Sequence, residues 1–258
     1  MKRFLIASIL VALAPFATYA NGSAQTAPPA PAPTATPEPK HRLFQSGPQF
    51  IAAGVSVASN ISSEFRPGST SMLPSFAAWQ TGETTLLGRF HVLSYTDYRS
   101  FAYRHAASDP VATVGGTGFT TIPAFQIHDD EMESGGGIRL LPQIYAGLET
   151  FARRENTGYP TLHGIGYTVM LAPNPSTHIT PYGWISYTPN TGSNYVTPTS
   201  STALTYRALR YRTGLLINEP NTRLYLDLGV AGEDLHNRTN APATIRDTMV
   251  TAGLGLRF

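Results

Sequence analysis

Residues 250–258, Val-Thr-Ala-Gly-Leu-Gly-Leu-Arg-Phe, alternate without a break. In an extended chain successive side chains point to opposite faces, so Val250, Ala252, Leu254, Leu256 and Phe258 share one face and Thr251, Gly253, Gly255 and Arg257 the other. A helix would mix the two sets, so the pattern predicts a strand with one wholly apolar face. That face needs either a core or lipid to cover it, and composition favours lipid. Charged residues make up 13% of the chain, against about 25% in ordinary soluble domains. After the first 20 residues no apolar run approaches the roughly 20 residues of a spanning helix. Low charge without long apolar runs suits strands that cross a membrane, because each needs apolar residues only at every second position.

The other end carries the three parts of a secretory signal peptide. Lys2 and Arg3 are the basic region, Phe4 to Phe16 an apolar run too short to span a bilayer, and Thr18-Tyr-Ala20 a small-residue cleavage site. Residues 1–20 are therefore expected to be removed on export. Their loss takes away two basic groups and no acids, lowering the formal charge from +2 to zero, so no nucleic-acid partner is expected. The chain has no cysteine. Lipoprotein processing, disulfides and thiolate metal sites all go with it. Residues 21–44 contain the tract Ala27-Pro-Pro-Ala-Pro-Ala-Pro-Thr-Ala-Thr-Pro-Glu-Pro39, an extended leader with nothing apolar enough to pack.

A terminal Phe preceded at every second position by apolar residues resembles the assembly signal of bacterial outer-membrane β-barrel proteins. The resemblance implies an all-β, antiparallel transmembrane barrel over residues 45–258, located in the outer membrane. It also implies outer-membrane lipid, lipopolysaccharide and the barrel assembly machinery as partners, the last through the strand ending at Phe258. In architecture and terminal motif the chain is similar to small OmpA-like and OmpX-like barrels, and a monomer is the expected state.

Strands follow from periodicity, working back from the terminus. Residues 222–232 place Leu224, Leu226, Leu228 and Val230 on one face, and residues 233–245 read as an exterior loop. Asn218-Glu-Pro-Asn221 reads as a turn. Residues 204–217 set Leu209, Tyr211, Thr213, Leu215 and Ile217 opposite Arg210 and Arg212. An arginine facing lipid at the midplane costs roughly 2–4 kcal/mol, so both arginines are expected to point inward. Further strands are predicted at 177–188, after the turn Pro173-Asn-Pro-Ser176, and at 163–172. A hairpin over 135–149 turns at Leu141-Pro-Gln143 and points Tyr145, Gly147 and Phe151 inward. Residues 84–98, 70–80 and 48–59 complete the set, with a turn at Thr81-Gly-Glu83 and a long exterior segment from Arg99 to Ile122. The count is about ten strands, with eight or twelve left as alternatives because residues 99–125 do not parse. Trp79, Tyr167, Trp184, Tyr187 and Tyr211 are candidates for interfacial girdles.

With these registers the lumen receives Arg89, His91, Asp97, Glu133, Arg139, Glu149, Arg153, Arg210, Arg212, Asp227 and Arg257. Both signs are present, and unpaired buried charge is strongly disfavoured, so the expectation is an ionic core in which Arg210 and Arg212 pair with Asp227 on the next strand. Such a chain would be a structural or surface-interaction protein. A narrow porin-like channel is the alternative, and a barrel hydrolase a lesser one. His128-Asp-Asp-Glu131 resembles the acidic and histidine residues of omptin-like proteases only loosely: the order is reversed and a partner Asp-x-Asp is missing. It reads better as a solvated acidic rim, of a kind that could hold divalent cations against lipopolysaccharide phosphates. Neither His163 nor His178 begins the His-x-Ser-Asn motif of barrel lipid A deacylases, and Gly135-Gly-Gly137 reads as small residues in a strand rather than a phosphate loop. No catalytic, cofactor-binding or metal-ligating residue is assigned, and no enzyme activity or cofactor is expected.

Overall fold

A computed structural model describes residues 43–63, 70–105, 111–112, 119–120, 124–155, 161–196, 201–218, 222–239 and 245–258. The strands are β1 (Phe44–Ser63), β2 (Thr70–Leu86), β3 (Phe90–His105), β4 (Val111–Ala112), β5 (Phe119–Thr120), β6 (Phe125–Leu141), β7 (Ile144–Glu155), β8 (Leu162–Leu171), β9 (Ile179–Val196), β10 (Ser201–Asn218), β11 (Leu224–Thr239) and β12 (Ile245–Arg257). All but β4 and β5, which pair with each other, form one closed antiparallel barrel in the order β1-β12-β11-β10-β9-β8-β7-β6-β3-β2. Ten strands is the number the periodicity predicts. The expected signal peptide and nearly all of the expected leader lie outside the described residues.

Closure joins the ends of the sheet. Phe50 opposes Arg257 and Val55 opposes Ala252, and the Phe258 N–H donates to the Gln49 carbonyl at 3.0 Å. A sheet without edges gives every strand a hydrogen-bonded neighbour on both sides, which a membrane requires of any strand that crosses it. The alternation at the C-terminus holds: Leu254 is 67% exposed and Thr251 only 3%. No helix among the described residues is long and apolar enough to cross a membrane.

The apolar outer face lies toward the end of the barrel carrying the short turns. On β11 the outward Leu224, Leu226 and Leu228 are exposed. Further along, the outward Asp234 pairs with Arg246 of β12 at 3.2 Å. β10 has 18 residues, which rise roughly 45 Å along the axis of a tilted barrel, against an apolar band of about 25 Å. The strands therefore continue beyond the band as a collar with charged residues outside.

Several boundaries differ from the sequence reading. β3 continues through Arg99 to His105 instead of leaving the barrel, and β11 runs on to Thr239, so Glu233 belongs to a strand rather than a loop. Trp79 and Trp184 are buried in the lumen, not in a girdle, whereas Tyr167 and Tyr187 do lie on the outer face. The turn expected at Asn218–Asn221 lies largely outside the described residues. Thr81-Gly-Glu83 lies within β2, with Thr81 opposite Tyr95 and Glu83 opposite Leu93. The chain reverses instead at Leu87 and Gly88, both at positive φ (52° and 69°), where the Arg89 N–H donates to the Leu86 carbonyl at 3.1 Å. Two consecutive positive-φ residues match the twist of the flanking strands, and glycine adopts such a φ without strain. Gly88→Val should therefore cost about 1–2 kcal/mol, read as a lower urea midpoint of the folded barrel in detergent. Gly82→Val, within β2, should leave that midpoint nearly unchanged; the reverse ranking would restore the turn at residues 81–83.

Candidate functional site

Among the described residues the lumen gathers the buried charged and polar side chains, and it is filled in layers. At the turn end, Glu83 accepts from Arg139 and bonds His91 Nδ1 at 2.7 Å, while Arg139 Nε donates to the Tyr145 hydroxyl at 3.1 Å. Glu83, Arg139 and Tyr145 line a cavity of about 270 Å³ together with Phe50, Leu93 and Pro175. An aromatic floor crosses the barrel next. Trp79 stacks on Tyr182 at 4.4 Å between centroids and Tyr95 on Trp184 at 4.7 Å.

Charges are held by this floor and beyond it. Arg212 donates from Nε and Nη2 to the two oxygens of Asp97, at 3.0 and 2.8 Å. Arg210 Nη2 donates to Glu149 at 2.7 Å and Nε to Glu133 at 3.3 Å, with its guanidinium 3.7 Å from the ring centre of Phe151. Neutral donors complete these carboxylates. Glu133 accepts from the Tyr95 and Ser186 hydroxyls and Glu149 from Thr188. Asp227 accepts from Trp79 Nε1 at 2.8 Å and the Tyr182 hydroxyl at 2.7 Å. Tyr182 reaches Asp227 by lying over Gly214, where an added Cβ would come within 2.7 Å of its ring.

A second ionic layer lies nearer the loop end. Arg99 Nη2 is 2.7 Å from Glu131 and its Nη1 3.8 Å from Asp247. Arg153 pairs with Asp129 and Glu233, and stands 3.4 Å from Glu131. All six side chains are at most 4% exposed.

Of the residues expected inside, Asp97, Glu133, Glu149, Arg153, Arg210, Arg212 and Asp227 are buried there. His91 and Arg139 form the turn-end mouth instead. Arg257 is half-buried and donates to the Pro175 carbonyl at 2.7 Å. Arg89 is not in the lumen, because it belongs to the exposed β2–β3 turn and lies against the ring of Phe90. The expected pairing of Arg210 and Arg212 with Asp227 does not form: Asp227 opposes Leu216, four residues along β10 from Arg212, so both arginines reach across the lumen. Asp129 and Glu131 face inward and are buried rather than solvated at a rim, while His128 and Asp130 face outward, with Asp130 accepting from Tyr98 and Ser100. Sequence reasoning missed Arg99, Glu233 and Asp247, although each continues by twos from an inward residue on its strand.

No protein-family model matches the chain, and no curated protein sequence matches it. Among solved structures it is similar to Ail, the attachment invasion locus protein of Yersinia pestis, crystallised in complex with the heparin analogue sucrose octasulfate (12% identity, 83% of this chain and 100% of that one, TM-score 0.35). It is similar also to Neisserial surface protein A (12% identity, 82% and 96%, TM-score 0.34) and to the outer membrane protease OmpT of Escherichia coli (11% identity, 85% and 99%, TM-score 0.37). All three are bacterial outer-membrane β-barrel proteins; the barrel of this chain is, by its own strand pairing, a closed ring of ten antiparallel strands.

Removing Asp97 strands a buried guanidinium. Asp97→Ala is expected to destabilise the barrel by about 3–5 kcal/mol, seen as a large drop in urea midpoint. Asp234→Ala removes a carboxylate from an outer-surface pair and should cost about 0–1 kcal/mol. Equal losses in the two variants would mean that the Arg212–Asp97 pair is solvated.

Proposed function

We propose that this protein is an outer-membrane barrel whose lumen is sealed by its ionic core, and whose collar and loops present a working surface to the cell exterior. The single observation that carries this reading is the Arg212–Asp97 pair. It spans the lumen from β10 to β3, strands on opposite sides of the ten-membered ring, beside the stacked Trp79, Tyr182, Tyr95 and Trp184. A passage for solutes would have to break hydrogen-bonded pairs between groups already removed from water.

Support for the location comes from the signal-type N-terminus, the apolar band and the terminal alternation. The short turns then face the periplasm and the collar faces outward, as in barrels whose exterior loops are the longer ones. Loops on a rigid scaffold are the usual carriers of binding, so a structural or surface-interaction role follows. Lipopolysaccharide packs around the band, the assembly machinery engages β12 through Phe258, and the barrel works as a monomer.

Purified protein in planar bilayers should show no stable conductance steps, and such steps would sink the sealed-lumen reading. Orientation is read separately in intact cells with a membrane-impermeant maleimide. Arg207→Cys, on the outer face of the collar, should be labelled, and Leu215→Cys, within the band, should be protected. Protection of Arg207→Cys would place the collar on the other side or inside the bilayer.

A further inference from the structure

The two ionic layers satisfy their acids in different ways. Near the aromatic floor, the carboxylates that exceed the arginines accept hydrogen bonds from tyrosine, serine, threonine and tryptophan. The loop-end layer holds Asp129, Glu131, Glu233 and Asp247 against two guanidiniums, Arg99 and Arg153. Among the described residues it holds two more carboxylates than guanidiniums.

Three of these carboxylates, Glu131, Glu233 and Asp247, each place an oxygen within 4.8 Å of the others. Glu233 offers one oxygen to Arg153, and its Oε2 accepts no hydrogen bond. Asp247 is an independent case. It enters from β12, is 4% exposed, and its Oδ1, 3.8 Å from the Arg99 guanidinium, accepts no hydrogen bond. Leaving such oxygens buried and bare costs several kcal/mol per ion by desolvation.

We propose that Glu131, Glu233 and Asp247 bind one divalent cation of the size of Ca²⁺ inside the loop end of the barrel. A single doubly charged ion offsets that excess of two. Hard cations take oxygen ligands, and two oxygens on one ion can be separated by at most twice the bond length, about 4.6–5.2 Å for Ca²⁺ and about 4.0–4.2 Å for Mg²⁺. Three oxygens within 4.8 Å of one another can share one ion, and a buried set made only of carboxylates suits Ca²⁺, because Mg²⁺ demands near-ideal octahedral geometry and keeps its waters. Arg99 and Arg153 orient the ligands from outside, as groups around metal ligands commonly do. The three residues come from β6, β11 and β12, so the ion ties together strands on different sides of the ring near the end where the loops emerge.

The test uses the full mature chain, folded in detergent, stripped with a chelator and then titrated with Ca²⁺ or Mg²⁺ alone. Calorimetry and elemental analysis should find one Ca²⁺ per barrel, bound more tightly than Mg²⁺, with a thermal midpoint that rises with Ca²⁺ concentration. Glu233→Gln and Asp247→Asn should each lower Ca²⁺ affinity at least tenfold, while Asp234→Asn, on the outer face, should not change it. Wild-type barrel that is folded but takes up no Ca²⁺ overturns the proposal whatever the variants do, and the carboxylates must then be neutralised by protons. Binding that survives both substitutions in folded protein overturns it as well.

Discussion

Arg212 and Asp97 meet through two parallel hydrogen bonds at 3.0 and 2.8 Å, from strands on opposite sides of the ring. A pair of this kind cannot form in an open sheet, because β10 and β3 approach each other only when the sheet has closed. Once it is closed, neither partner has water to fall back on, and separating them leaves an uncompensated charge in a medium of low dielectric. The pair thus makes closure and side-chain placement one condition. Arg210 repeats the logic from β10 to β6 and β7, and Arg153 from β7 to β11. The barrel is tied across its interior several times, in directions the backbone ladder does not cover.

These ties also fix which face of each strand is inside. Shifting a strand by one residue moves its whole inward set to lipid, and for β10 that would expel two arginines at once. The aromatic floor depends on the same register: Tyr182 lies over Gly214 and Trp79 donates to Asp227 only if β2, β9, β10 and β11 all hold their phase.

Much of this was legible in the sequence, since period-2 alternation is a local property. Strand number, the hairpin at Leu141-Pro-Gln143 and the inward direction of Asp97, Glu133, Glu149, Arg153, Arg210, Arg212 and Asp227 all follow from it. Partners across the lumen were not legible, because which inward residues meet depends on the closed ring and its stagger. Hence Asp227 looked like the natural partner of Arg212 on the neighbouring strand, yet they sit four residues apart in register. Strand ends failed for another reason. Arg99, Asp129, Glu131, Glu233 and Asp247 keep the inward parity of their strands, but charge in a membrane-crossing strand reads as loop unless the barrel is known to extend past the lipid. Trp79 and Trp184 failed similarly, since an aromatic ring near a strand end suits a girdle or a floor equally until its parity is fixed. Thr81-Gly-Glu83 has the composition of a turn, but Leu87-Gly88 has the backbone of one.

A lumen built from charge is not the most stable filling available, since well-packed apolar groups can match or exceed a buried ion pair. It does supply contrast. With leucine and valine on the outer face, an apolar interior would make the two faces of every strand alike, and inside-out or slipped pairings would differ little in free energy from the native one. Continuous apolar strands would also lengthen the hydrophobic runs toward those of a spanning helix. Placing arginine and carboxylate at alternate positions avoids both outcomes, because only one register of one closed ring brings Arg212 to Asp97 and Arg210 to Glu149.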